Sequence, residues 1–143
     1  MWRGLIEKLS DDYKFYPPAS DLEIAEAEDA LGVAFPAELR TFLGETDGLG
    51  DKYGGGLVWP AGQIKATNLE FRRSPDFRES HQPFDSLLFF GNEANGDQFA
   101  FRFFEGAAGR GIFVWDHETD DRLLVAPSLE KYIELRLRGA LGY

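Results

Sequence analysis

The sequence contains no cysteine. That absence excludes disulfides, thiolate zinc sites, redox CxxC chemistry and a cysteine nucleophile, and it fits a reducing compartment. Histidine is nearly as scarce, with only His81 and His117 present. No His-x-x-x-His helix can be written with them, so no metal-ligand pattern is legible and both are expected to face solvent. Long apolar runs are missing too. Leu87-Leu88-Phe89-Phe90 is far too short for a bilayer, and Met1 to Lys8 lacks the apolar stretch of a signal peptide. A cytoplasmic protein without a membrane partner is the expectation. Basic residues are outnumbered, 15 Lys plus Arg against 25 Asp plus Glu, for a net charge of −10. Nucleic-acid binding draws most of its affinity from basic side chains that displace counterions, so the composition argues against a DNA or RNA partner.

What the chain has in quantity is apolar surface. Of its 143 residues 43% are hydrophobic and 15% aromatic, which suffices for one core in a single domain spanning residues 1–143. The acidic excess is unevenly spread. Residues 1–51 carry 12 acids and 4 bases, a net −8, while residues 52–105 and 106–143 each contribute −1. Such a field serves solubility or steers the chain toward a basic partner.

The first third reads as helices. Leu5, Ile6 and Leu9 are helically spaced before Pro17-Pro18. Ser20-Asp21-Leu22-Glu23 has the form of a capping box, and Ile24, Ala27 and Leu31 make one apolar stripe closed by Gly32. Pro36 then suits the start of a helix carrying Leu39, Phe42 and Leu43, with Gly44 inside it and Asp47-Gly48 stopping it. Residues 48–56 read as a flexible loop and Leu57-Val58-Trp59 as a short strand; residues 61–86 offer only a turn of helix near Ile64. From Ser86 onward the pattern is β. Strands are expected at 87–90, 99–103, 112–115 and 122–126, joined by turn-rich stretches that include a loop at 106–111. A last helix follows Ser128 with Leu129, Tyr132, Ile133 and Leu137. This order predicts an α+β fold: an antiparallel β-meander packed with N-terminal helices and a C-terminal helix.

Chemistry is harder to find. The glycine-rich loop lacks the Gly-Lys-Ser/Thr of a phosphate cradle, and a dinucleotide fingerprint starting at Gly48 would need glycine at Tyr53. Asp116-His117-Glu118-Thr119-Asp120-Asp121 resembles a calcium loop only until its sixth and twelfth positions, Asp121 and Pro127; it reads as a hairpin turn. No Gly-x-Ser-x-Gly elbow presents a serine. No catalytic, cofactor or metal residue is therefore assigned. Glu26 and Glu28 are the better candidates for partner contact, because local helix stability gives them no evident task. Asp47 and Asp51 extend the negative field, with Glu93 and Asp97 as secondary candidates in the β turn. Tyr53, between Lys52 and Gly54, is the candidate aromatic anchor.

Laid end to end, the motifs resemble a known superfamily. The pattern Ile24-x-x-x-Glu28-x-x-Leu31-Gly32-x-x-Phe35-Pro36-x-x-Leu39-x-x-Phe42-Leu43, closing in Asp47-Gly48, is similar to the N-terminal signature of the SUKH superfamily, which includes the fungal cell-wall-assembly regulator. Phe90-Gly91, Gly96-Asp97, Val114-Trp115-Asp116-His117-Glu118 and Val125-Ala126-x-Ser128-Leu129 extend the likeness, which spans about residues 20–138. Asp47 stands where the family pattern has Asn. The resemblance implies an α+β domain without catalytic residues. In bacteria it most often implies an immunity protein that neutralises a toxin by binding it, here a basic one. A regulatory interaction module of the cell-wall-regulator type is the alternative, and a carboxylate-dependent hydrolase a more distant one.

Overall fold

The computed structural model describes residues 1–50, 55–104 and 106–143, with Arg78 described in its backbone alone. In chain order the elements are α1 (Trp2–Leu9), α2 (Asp21–Leu31), α3 (Ala37–Leu43), β1 (Leu49–Gly50), β2 (Gly56–Val58), α4 (Ala61–Arg73), α5 (Pro75–Ser80), β3 (Leu87–Asn92), β4 (Gln98–Phe104), β5 (Ala107–Trp115), β6 (Arg122–Ala126) and α6 (Leu129–Leu137). The main sheet is the expected antiparallel meander, ordered β3-β4-β5-β6, and β1 pairs with β2 in a small second sheet.

Local chemistry explains the best-defined helix. The Ser20 hydroxyl accepts from the Glu23 N–H while the Glu23 carboxylate accepts from the Ser20 N–H, a complete capping box, and Gly32 ends α2 at φ 69°. Its stripe Ile24, Ala27 and Leu31 is buried. Together with Phe35, Leu39, Phe42, Phe101, Phe103, Val114 and Trp115 it belongs to one continuous apolar cluster. The helix stripes and the strand residues thus share a core, as their spacing predicts.

Four local readings are corrected. The stretch 61–86 is not featureless but holds α4 and α5. Its helical stripe was hidden because a polar residue, Asn68, sits at a core position between Ile64 and Phe71. Gly44 caps α3 rather than lying within it. The glycine-rich run 107–111 is strand: β5 begins directly after Gly106, which turns the chain at φ 82°. Part of the expected loop at 48–56 is also strand, with Leu49 paired to Val58 and Gly50 to Gly56.

Both faces of the sheet receive cover. On one face Phe90, Phe99 and Phe101 pack in the core with Tyr132 of α6. On the other, Phe89 and Trp115 meet Phe71 of α4 and Phe84, which lies just ahead of β3. Asn68, fully buried, ties α4 to β3. Its side-chain amide accepts from the Phe89 N–H at 2.9 Å and donates to the Phe89 carbonyl at 2.9 Å and the Ile64 carbonyl at 2.7 Å. The side chain thereby takes the part of a neighbouring strand for one residue of β3. No helix among the described residues is long and apolar enough to cross a membrane.

Candidate protein-interaction surface

The helix with the most acidic face is α2. Its eleven residues include Asp21, Glu23, Glu26, Glu28 and Asp29 and no base. The stripe that faces the core turns four of these carboxylates outward, and Asp21, Glu23, Glu26 and Asp29 are all exposed. Among the described residues no cation pairs with Glu26 or Asp29. Leu22 stands in the same patch at 67% exposure. Sequence reasoning passed over it, though the signal was present: Leu22 lies off the Ile24–Ala27–Leu31 stripe and so has no core to enter.

Glu28 behaves differently from Glu26. Its carboxylate accepts from the Phe35 N–H and from Arg40, both at 2.6 Å, and it is half-buried. The expectation that local structure has no use for Glu28 is corrected: it binds the α2–α3 connection to α3. Asp47 also has an internal task, accepting from the Ala61 N–H at 2.8 Å. That contact satisfies an orphan donor at the start of α4, where Pro60 offers no side-chain cap. Glu93 lies 3.5 Å from the Arg136 guanidinium. Asp51 and Tyr53 lie outside the described residues. The structure thus leaves Glu26 as the candidate carboxylate wholly presented outward, while Glu28, Asp47, Glu93 and Asp97 are engaged internally.

Asp97 departs most from expectation. It is buried, at 5% exposure, rather than displayed on a turn. One of its oxygens accepts from His117 Nδ1 at 2.6 Å and from the His117 N–H at 3.2 Å, and the other accepts from the Tyr143 hydroxyl at 2.8 Å. Because a carboxylate only accepts, Nδ1 carries the proton. Burial pushes the Asp97 carboxyl upward, but the hydrogen bonds from His117 and Tyr143 outweigh it and hold the group below its ordinary value. The same hydrogen bond raises His117, against partial desolvation, and nearby Glu118 and Asp116 add to the rise. Burial and the Asp97 contact push the Tyr143 hydroxyl up to about 12. His117 is therefore not a free surface histidine. The Gly96-Asp97 and Asp116-His117-Glu118 motifs, twenty residues apart in sequence, meet as one polar clamp between the β3–β4 and β5–β6 turns.

Asp97, Asp116 and His117 also bring one potential ligand atom each within 4.8 Å of one another. Several of these atoms are hydrogen-bonded within the protein. The Asp97 oxygens accept from His117 and Tyr143, and Asp116 accepts from the Glu118 and Thr119 N–H groups within its own turn. The donor set thus serves to stabilise the two turns. The hairpin reading of 116–121 stands: the Asp116 N–H donates to the Asp121 carbonyl, and Asp120, at φ 65°, accepts from the Trp115 indole N–H. His117 is nevertheless exposed, as expected, whereas His81 is half-buried. It stacks against Phe77, Phe84 and Trp115 and helps line an aromatic cavity of about 220 Å³.

An antiparallel meander flanked by helices, with its motif residues spent on caps and turn clamps, defines an α+β domain. The sequence pattern of the SMI1 / KNR4 family (SUKH-1) matches residues 18–135, and the chain belongs to that family. The membership makes it an immunity-protein or cell-wall-regulator-like domain. No curated protein matches the chain.

Proposed function

We propose that this chain is a non-catalytic, cytoplasmic protein-binding domain, acting as one unit over residues 1–143, that neutralises a basic bacterial toxin by direct contact. The observation that carries the proposal is the outward face of α2, where Glu26 and Asp29 stand exposed without cationic partners among the described residues. Surface carboxylates with no internal task repel one another in the free protein and remain available to a partner. Glu26 is the leading rim charge of the proposed contact, with Asp51 and Tyr53 as further candidates; Glu28, Asp47 and Glu93 would contribute to the field from their internal contacts, and the buried Asp97 is set aside. A net charge of −10 favours a basic protein over nucleic acid or an anionic membrane.

The test uses a toxin domain encoded beside this gene. Co-expression should rescue growth, and Glu26→Lys should slow association at low salt, where steering lifts rates toward about 10⁸ M⁻¹s⁻¹ or more. Rim charges act mainly on the on-rate, so dissociation should change little. An association rate indifferent to both salt and the reversal of Glu26 would remove the acidic face from the binding mechanism. A regulatory module of the cell-wall type would instead leave toxin-treated cells unprotected and bind a host protein.

A further inference from the structure

A second surface has the opposite character. Strands β4, β5 and β6 contain Arg102, Arg110 and Arg122 and no acidic residue. α4 and the segment around Phe84 cover the Phe89–Trp115 end of one sheet face, and the far end of that face is left open. There Phe104 is 58% exposed and Leu124 63%. Leu124 is paired with Phe113 across β5 and β6, and its side chain rests over Gly111, where an added Cβ would lie 2.6 Å from it. The Arg102 guanidinium lies 5.1 Å from the Phe104 ring centroid and 5.5 Å from that of Phe113. Among the described residues no carboxylate pairs with Arg102. A cation held over two rings without a counter-charge among the described residues, bordered by exposed apolar side chains, fits a ligand that brings both a carboxylate and an apolar group.

The molecule displays such a ligand itself. Met1 apart, Leu22, Leu124 and Phe104 are the most exposed large apolar residues, at 67%, 63% and 58%. Two of them flank Arg102, and the third is surrounded by Asp21, Glu23, Glu26 and Asp29 on α2. We infer that the α2 face of one copy docks on the Arg102–Phe104–Leu124 face of a second copy. Leu22 would cover the exposed apolar side chains while Glu26 and Asp29 supply the missing counter-charge to Arg102. Strand addition along β6 is the less favoured geometry. There Phe113 pairs with Leu124 and Ile112 with Ala126, so Val125 is an extra residue that bulges the edge and spoils it as a template. Each protomer carries −10, so general repulsion opposes the local attraction and the association is weak.

Sedimentation and light scattering from about 10 µM to about 1 mM, a range suited to small interfaces, test the inference. The wild-type chain should rise from 16.1 kDa through twice that mass and beyond, because a contact between two different faces leaves one of each open at the ends of the assembly. Arg102→Glu should stay monomeric, and so should Glu26→Lys combined with Asp29→Lys. An equimolar mixture of the two should recover the 1:1 complex, because each charge-reversed surface then meets its complement. Leu124→Glu, at an exposed site that leaves the core intact, should also be monomeric, and circular dichroism should show all variants folded. A wild-type chain that is monomeric throughout, or a mixture that fails to associate, overturns the inference. Neither result bears on toxin neutralisation, which is read from growth rescue.

Discussion

Replacing Asn68 by leucine keeps the side-chain volume and discards its hydrogen bonds. In the wild-type structure the amide satisfies both the N–H and the carbonyl of Phe89, at 2.9 Å each, in a fully buried position. The Ile64 carbonyl remains within the hydrogen-bond ladder of α4, so the substitution orphans two buried backbone groups rather than three. Each such group costs about 1–3 kcal/mol, giving a loss of about 2–6 kcal/mol, or a large part of the roughly 5–15 kcal/mol that holds a domain together. Asn68→Asp should be no rescue. Its carboxylate can accept from the Phe89 N–H but cannot donate to the carbonyl, and it buries a charge. Urea denaturation monitored by tryptophan fluorescence should show the midpoint falling with the slope unchanged. An Asn68→Leu variant within about 1 kcal/mol of wild type would refute the reasoning, because it would mean that β3 obtains its hydrogen bonds elsewhere.

Three further outcomes follow from named contacts. The folded-state pKa of Asp97 lies below its ordinary 3.8, so its contribution is present above that value and lost as pH falls below it; that of His117 lies above 6.5, so its contribution is full below 6.5 and lost as pH rises through the raised value. The melting-temperature difference between wild type and His117→Gln should therefore be widest between about pH 4 and 6.5 and narrow toward alkaline pH, and a difference flat across that range would sink the assignment. Trp115→Ala should cost about 3–5 kcal/mol in urea denaturation, since the indole is 4% exposed among Phe71, Phe84 and Phe89. Gly91→Ala should destabilise by about 3 kcal/mol, because its Cβ would lie 2.5 Å from the Leu57 carbonyl and 2.9 Å from that of Gly56. Gly32→Ala meets open space and should cost only the roughly 1 kcal/mol of its left-handed backbone; thermal scans that rank the two in the opposite order would contradict the packing.

The parts of the fold that were legible are those where a local rule and the tertiary structure agree. Ser20, Glu23 and Gly32 bound α2 by chemistry contained within a dozen residues, and the alternation of Phe99, Phe101 and Phe103 writes one face of β4 directly. Legibility failed where a polar side chain does the work of a backbone. Asn68 broke the apolar period of α4, so the helix was missed, and the same residue is what fixes that helix to the sheet. The candidate surface shows the same division. The exposure of Glu26 follows from its lack of local duties, whereas the duties of Glu28 and Asp97 depend on Arg40, His117 and Tyr143, which lie 12, 20 and 46 positions away. Arg102 gave no signal in sequence because its significance lies in what fails to face it.

The construction of α2 bears on how such a protein could change over generations. Its ends are fixed by Ser20, Glu23 and Gly32, and its hold on the core by Ile24, Ala27 and Leu31. Asp21, Leu22, Glu26 and Asp29 are left outside both sets. Substitutions at exposed positions that neither cap nor pack usually alter stability by no more than about 0.5 kcal/mol. The outward face can therefore be rewritten residue by residue while the helix stays in register, and a lineage could follow a shifting partner without passing through unfolded intermediates. The Asp97–His117–Tyr143 clamp allows less freedom, because altering Asp97 strands both His117 and Tyr143, and altering either of those removes a donor from a buried carboxylate.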